Sequence, residues 1–150
     1  MAVEAKFVSV KVNNLRKIYG NSIDLEKWIE NSDNIYTGRR GKIFILSSTT
    51  NGSDKRVFYY PESRWANPYR NNGTLRKYVE HLFDTYTIFH IKELQGKTLG
   101  CFCDTSNQQL GNCHAVILTR LVNEFIPYIE AWCMSKDDKY KMYIITSLGL

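Results

Sequence analysis

The chain has 150 residues, 43% hydrophobic, 13% aromatic and 23% charged, which excludes long disorder and allows one domain with its own core. A net charge of +5 permits an anionic partner without requiring one. No stretch reaches the roughly 20 apolar residues that a membrane helix needs.

The start, MAVEAKFVSV, lacks the charged lead and apolar centre of a signal peptide and reads as the approach to a first strand. A soluble intracellular protein is therefore expected, in a compartment where thiols stay reduced. Its four cysteines then suggest packing, metal binding or chemistry before disulfides. Phe7 to Val12 alternates as a strand does, and Asn13 and Asn14 are expected to end it. Ser22 is placed to cap a helix through Asn31, with Ile23, Trp28 and Ile29 on its apolar side. Asn34 to Gly38 reads as a short strand leading into Arg39, Arg40 and Gly41. Lys42–Ser47 and Arg56–Tyr60 flank Asn51-Gly52, a turn signal that predicts a hairpin.

Pro61 to Gly73 (PESRWANPYRNNG) has no period and reads as a loop. Long loops in compact domains often carry function, although Trp65 and Tyr69 could equally pin this one to the core. Thr74 is placed to cap an amphipathic helix with Leu75, Tyr78, Val79, Leu82, Tyr86 and Phe89 along one face. His81 and His90 read as surface or packing residues. Lys97 to Cys103 is a short buried strand, and Cys113-His114 opens a helix running to Phe125. Pro127 is expected to kink or restart that helix, Cys133 to be a buried thiol, and Tyr140 to Thr146 to form a last strand. This order predicts a single, three-layered α/β domain over residues 1–150. Its central sheet is expected to be mainly parallel or mixed, with helices on both faces and an inserted β-hairpin.

Sites in such sheets form beyond the C-terminal ends of strands. Two loops have that placement, provided their strands run parallel. One carries Arg64, Trp65, Asn67 and Tyr69; the other ends in Cys113-His114. Three chemistries compete for Cys101, Cys103, Cys113 and His114. Thiolate and imidazole ligands suit zinc, and strand alternation puts Cys101 and Cys103 on one face. However, C-x-C followed by adjacent Cys-His departs from the usual spacing. Cys113 at a helix start beside His114 suits an activated thiol, with both residues as catalytic candidates. The helix N-terminus with Arg39 or Arg64 suits an anion. A cysteine cluster that only packs is the fourth possibility.

The motifs Trp65 to Tyr69 (WANPY), Gly96 to Cys103 (GKTLGCFC) and Cys113 to Leu118 (CHAVIL), in this order, resemble the family called domain of unknown function 4326. The resemblance spans about Tyr36 to Phe125, with Gly38-Arg39 as the counterpart of an early Gly-Arg. It implies a Rossmann-like domain and a source among phages or large DNA viruses, but no reaction. The chain departs from the family pattern at Ala66, where glycine is usual, and at Val116, where an acidic residue is common. The hairpin and a long Cys103 to Cys113 connection look like local additions.

The expected function is an enzyme-like or ligand-binding site for a nucleotide or nucleoside-like molecule. Trp65 or Tyr69 would stack a base, Arg39 and Arg64 would pair phosphate, and Asn67 would read an amide edge. The alternative is a non-enzymatic viral accessory protein in the host cytoplasm. It would bind nucleic acid or a host or virion protein, with a purely structural Cys/His cluster.

Overall fold

The computed structural model of the chain describes residues 4–20, 23–46, 55–69, 74–102 and 113–150. Five strands and six α-helices are described. The strands are β1 (Lys6–Ser9), β2 (Asn34–Tyr36), β3 (Gly41–Leu46), β4 (Lys55–Tyr60) and β5 (Thr98–Cys101). The helices are α1 (Val12–Tyr19), α2 (Leu25–Glu30), α3 (Leu75–Asp84), α4 (His114–Glu124), α5 (Ile126–Ser135) and α6 (Asp138–Ser147), and a 3-10 helix covers Thr87–Leu94.

The last strand in sequence is the middle one in space. β5 pairs in parallel with β1 on one side and β2 on the other, giving the order β1-β5-β2. Thr98, Leu99 and Gly100 are thus flanked by strands on both sides and Cys101 by β1 alone, and the strand lies between two cores. Leu99 joins Trp65 and the apolar faces of α3, the 3-10 helix and α4 to α6. Gly100 faces the other way, toward Val10 and the ring of Trp28, which belong to a second core with Val8, Leu15 and Leu25. A Cβ at Gly100 would overlap both Trp28 and Val10, so glycine here is required by close packing. Asn123 on α4 fixes the edge strand, accepting from Ala5 N (2.8 Å) and donating to Ala5 O (3.0 Å).

Several expectations change. Among the described residues the three-stranded sheet is wholly parallel, the first of the two expected arrangements, and the expected hairpin of β3 and β4 forms its own two-stranded antiparallel sheet, with Ile43, Phe58 and Tyr60 laid on the second core. The expected Asn51-Gly52 turn lies outside the described residues.

The last segment is a helix. Asp137 caps it by accepting from Lys139 N at 3.0 Å, and Ile144, Ile145 and Leu148 are buried at helical spacing. Its β-forming residues are outweighed by that cap and by burial against α3 and α5. Asn13 and Asn14 sit inside α1, and Asp24 caps α2 by accepting from Lys27 N. Thr74 makes no side-chain cap bond. The predicted apolar stripe holds for Leu75, Tyr78, Val79 and Leu82, whereas Tyr86 and Phe89 are exposed. The chain leaves the α-helix at Thr85, and Tyr86 takes a left-handed backbone (φ 60°). Phe125 closes α4 and opens α5, with Pro127 in the first turn as expected. Cys133 is half-buried rather than enclosed, its thiol pKa raised by burial.

Gly100→Ala is expected to destabilise the fold by about 1–3 kcal/mol through overpacking. A chemical denaturation midpoint equal to that of the parent would show that Trp28 and Val10 do not press on this strand.

Candidate functional site

The C-terminal ends of β2 and β5 lie side by side, and the start of α4 meets them. Beyond β2 come Thr37, Gly38 and Arg39; beyond β5 comes Phe102. Thr37 is fully buried and donates twice to Gly100 O, from its N–H (2.8 Å) and its hydroxyl (3.0 Å). Its own carbonyl lies 2.7 Å from His114 Nε2. A carbonyl only accepts, so Nε2 carries a proton, and in the neutral ring the lone pair falls on Nδ1. The imidazole also stands edge-on to Tyr78, centroids 5.3 Å apart.

Cys113 is the residue before α4, and its Sγ lies 3.0 Å from Sγ of Cys101 at the end of β5. Both are buried. The structure thus brings Cys101, Cys113 and His114 to one rim, while Cys103 lies outside the described residues. Among the described residues no three ligand-type side chains converge on a common point, so the zinc expectation finds two sulfurs together and no complete set.

The other loop reaches the rim although β4 is antiparallel and lies in another sheet. Four anchors hold it. The Trp65 ring is buried in the larger core, and its Nε1 donates to Glu93 at 2.9 Å. Tyr78 donates its hydroxyl to Trp65 O (2.7 Å). Ser63 N donates to Gly38 O (3.0 Å). Arg39 donates from Nε to Asn67 O (2.9 Å) and from a terminal nitrogen to Tyr69 O (2.5 Å).

These contacts alter the expected ligand set. Trp65, with 1% exposure, offers no face to a base. Arg39 is a clamp on the loop, and Asn67 Oδ1 accepts from Tyr69 N within that clamp. Arg64 is exposed and lies 3.5 Å from Glu93. Tyr69 is exposed, edge-on to His81 and near Lys77.

Residues outside the expected ligand set line a cleft nearby. An open cleft of about 790 Å³ at the foot of the hairpin is lined by Arg40, Gly41, Lys42, Tyr59, Tyr60, Pro61 and Glu62. Strand alternation turns Tyr59 out, with 70% of its surface exposed, and Tyr60 in. Tyr60 stands edge-on to Tyr36 (5.2 Å) and tilted to Phe102 (5.6 Å). Tyr36 contacts Phe102 in turn (6.0 Å), so the three rings form one cluster running from Tyr60, a lining residue of the cleft, to Phe102, the residue after Cys101. The available signals were Arg39-Arg40 ahead of a strand and the Tyr59-Tyr60 pair, one ring on each face.

Burial raises the pKa of all three phenols. For Tyr36 burial acts first, then Tyr60 and Cys101, with Arg39 opposing. For Tyr78, wholly enclosed, burial is reinforced by Cys113 and Cys101. Tyr60 is raised by burial alone.

A family model described as a domain of unknown function (DUF4326) matches residues 22–124. No curated protein and no solved structure gives a significant match. No described helix is long and apolar enough to cross a membrane.

Two outcomes follow from this geometry. A phenol whose folded pKa lies above its unfolded value near 10 stabilises the fold fully below that value, and the contribution is lost as pH rises beyond it. Stability should therefore fall above about pH 10, with a shallower slope in Tyr36→Phe or Tyr78→Phe; an identical slope in both would contradict the burial of these phenols. Trp65→Ala should cost about 3–5 kcal/mol of stability, as a core truncation does. A loss under 1 kcal/mol would place the ring outside the core.

Proposed function

The chain belongs to the family described as domain of unknown function (DUF4326), and we propose that it is a ligand-binding domain whose hairpin cleft takes a nucleoside phosphate. The observation carrying this reading is the meeting of Arg40 and Lys42 with the Tyr59 and Tyr60 rings in one cleft. Cross-strand register places Lys42 directly opposite Tyr59. In the proposed pose a guanidinium and an ammonium neutralise phosphate, the Arg40 fork giving paired hydrogen bonds. The outward Tyr59 ring offers a base a stacking surface worth about 1–3 kcal/mol. Glu62 at the cleft edge would accept from a ribose hydroxyl or a base N–H. This reading gives the stacking role expected of Trp65 or Tyr69 to Tyr59, and the phosphate role of Arg39 and Arg64 to Arg40 and Lys42. The Rossmann-like kinship and viral source implied by the motifs belong to the same proposal.

A second reading, binding of single-stranded nucleic acid, has its own support. The outer face of the hairpin exposes Phe44 (65%) and Tyr59 (70%) beside Lys42, and β3 and β4 contain no acidic residue. Such a face can stack successive bases while its cations meet phosphates.

Thermal shift of the full chain with nucleoside mono-, di- and triphosphates, inorganic phosphate and a short oligonucleotide tests both. A ligand at about a hundred times its Kd should add roughly 2.7 kcal/mol to stability. Tyr59→Ala should remove the part that depends on the base, and Arg40→Ala with Lys42→Ala the part that depends on phosphate. No stabilisation by any nucleotide at millimolar concentration would sink the first reading. Binding of the oligonucleotide alone, falling steeply with salt, would favour the second.

A further inference from the structure

The two sulfurs at the rim carry an inference independent of the ligand reading. Cys101 Sγ and Cys113 Sγ are 3.0 Å apart, about 1 Å more than a disulfide bond. They belong to different elements: Cys101 ends the central strand, and Cys113 immediately precedes the eleven-residue helix α4. Each is held by its surroundings. Cys101 O accepts from Val10 N at 2.8 Å, and Cys113 O accepts from the N–H groups of Val116 (3.1 Å) and Ile117 (3.2 Å). Both sulfurs pack with Ala115, Phe7 and Val116 in a small apolar cluster.

We infer that Cys101 and Cys113 are a redox-active pair, a modification site at which a small hydroperoxide converts two thiols to an intramolecular disulfide. The reaction balances in two steps. The Cys113 sulfur attacks one peroxide oxygen and gives up its thiol proton to the oxygen that departs. The O–O bond breaks, Cys113 becomes a sulfenic acid, and the departing oxygen takes a proton to leave as water or an alcohol. The Cys101 sulfur, already in contact, then attacks the sulfenic sulfur. The S–O bond breaks, the S–S bond forms, and a water leaves carrying the Cys101 proton. Two sulfurs lose two electrons in all, and the peroxide oxygens gain them. A dithiol reductant reverses the change by thiol–disulfide exchange when local opening exposes the bond.

Burial sets the choice of oxidant. Relative exposures of 2% for Cys101 and 3% for Cys113 leave little access to bulky reagents, so the oxidant proposed is a small one. The half-buried Cys133 lies on α5 among the residues of the larger core, and it serves as an internal control.

The full chain, reduced with a dithiol and freed of it, is treated with a stoichiometric amount of hydrogen peroxide. Intact mass spectrometry and non-reducing peptide mapping then follow. The expected product is two hydrogen masses lighter than the reduced chain, with a cross-link between the peptides of Cys101 and Cys113. It should regain its mass on reduction and melt several degrees higher than the reduced form. Cys133→Ser should behave as the parent does. Cys101→Ser should retain one added oxygen on Cys113 without the two-hydrogen loss, and mapping of the parent decides the matter should that variant fail to fold. A cross-link through Cys103 or Cys133, or oxygen addition with no cross-link, would overturn the inference. So would a parent chain that keeps all its thiols titratable after unfolding, or a reduced native mass in excess by a bound metal ion.

Discussion

Thr37 joins the three parts of the molecule that make the rim. Its N–H and hydroxyl both end on Gly100 O, and its carbonyl meets His114 Nε2. The exits of β2 and β5 and the first turn of α4 are therefore one hydrogen-bonded unit, buried at Thr37 and Gly100 and half-buried at His114. In such surroundings an unpaired polar group costs about 1–3 kcal/mol, so the unit is held as much by the penalty for breaking it as by the bonds. The position of Cys113 depends on it, because the residue that follows, His114, is fixed by Thr37. The position of Arg39 depends on it too, because β2 leaves the sheet through Thr37 and Gly38. Tyr36 completes the turn by donating its hydroxyl to Arg39 O at 2.6 Å, and its ring leaves room at Gly38 only for a residue without a Cβ.

Much of what looks like binding machinery in the sequence is consumed in building the scaffold. A tryptophan in a polar loop suggests an aromatic platform, yet Trp65 is an anchor with its indole N–H satisfied by Glu93. Two arginines near a rim suggest phosphate, yet Arg39 places its guanidinium on the carbonyls of Asn67 and Tyr69. A loop without secondary structure must pair its backbone groups with something, and side chains supply those partners. Motif residues concentrated in one loop are therefore as consistent with a loop that is difficult to hold as with one that binds. The neighbouring Arg40 and Lys42 have no comparable hydrogen bonds among the described residues, which is why the ligand reading moves to them.

The legible parts of the chain were those in which local chemistry and tertiary context agree. Leu75, Tyr78, Val79 and Leu82 mark α3 by period alone, and all four are buried. The juxtaposition of β5 and the start of α4 was readable from a buried run ending in cysteine and a helix opening on another. The segment from Tyr140 to Thr146 was misread because tyrosine and isoleucine favour strands, whereas spacing and the Asp137 cap favour a helix. Sheet membership was illegible for a different reason. Nothing in the residues of β3 and β4 states that they pair only with each other; that depends on which strands reach β5 first. Thr37 escaped notice because a threonine after a strand carries no chemical signature, and its importance arises only from the two elements it touches.

The three rings of Tyr36, Tyr60 and Phe102 place two chemistries back to back. On one side are sulfurs in an apolar cluster; on the other is a cleft open to water with two cations at its edge. The wall is apolar in its interior, which raises the pKa of its phenols. Phe102 directly follows Cys101, and its ring touches Tyr60, a lining residue of the cleft. A change in bonding at Cys101 therefore acts on a neighbour already packed against the cleft, in a close-packed region where small displacements are not absorbed. The same adjacency explains why a site with only two sulfurs on one side and two cations on the other need not be two unrelated features: one strand end, Gly100 to Phe102, supports both.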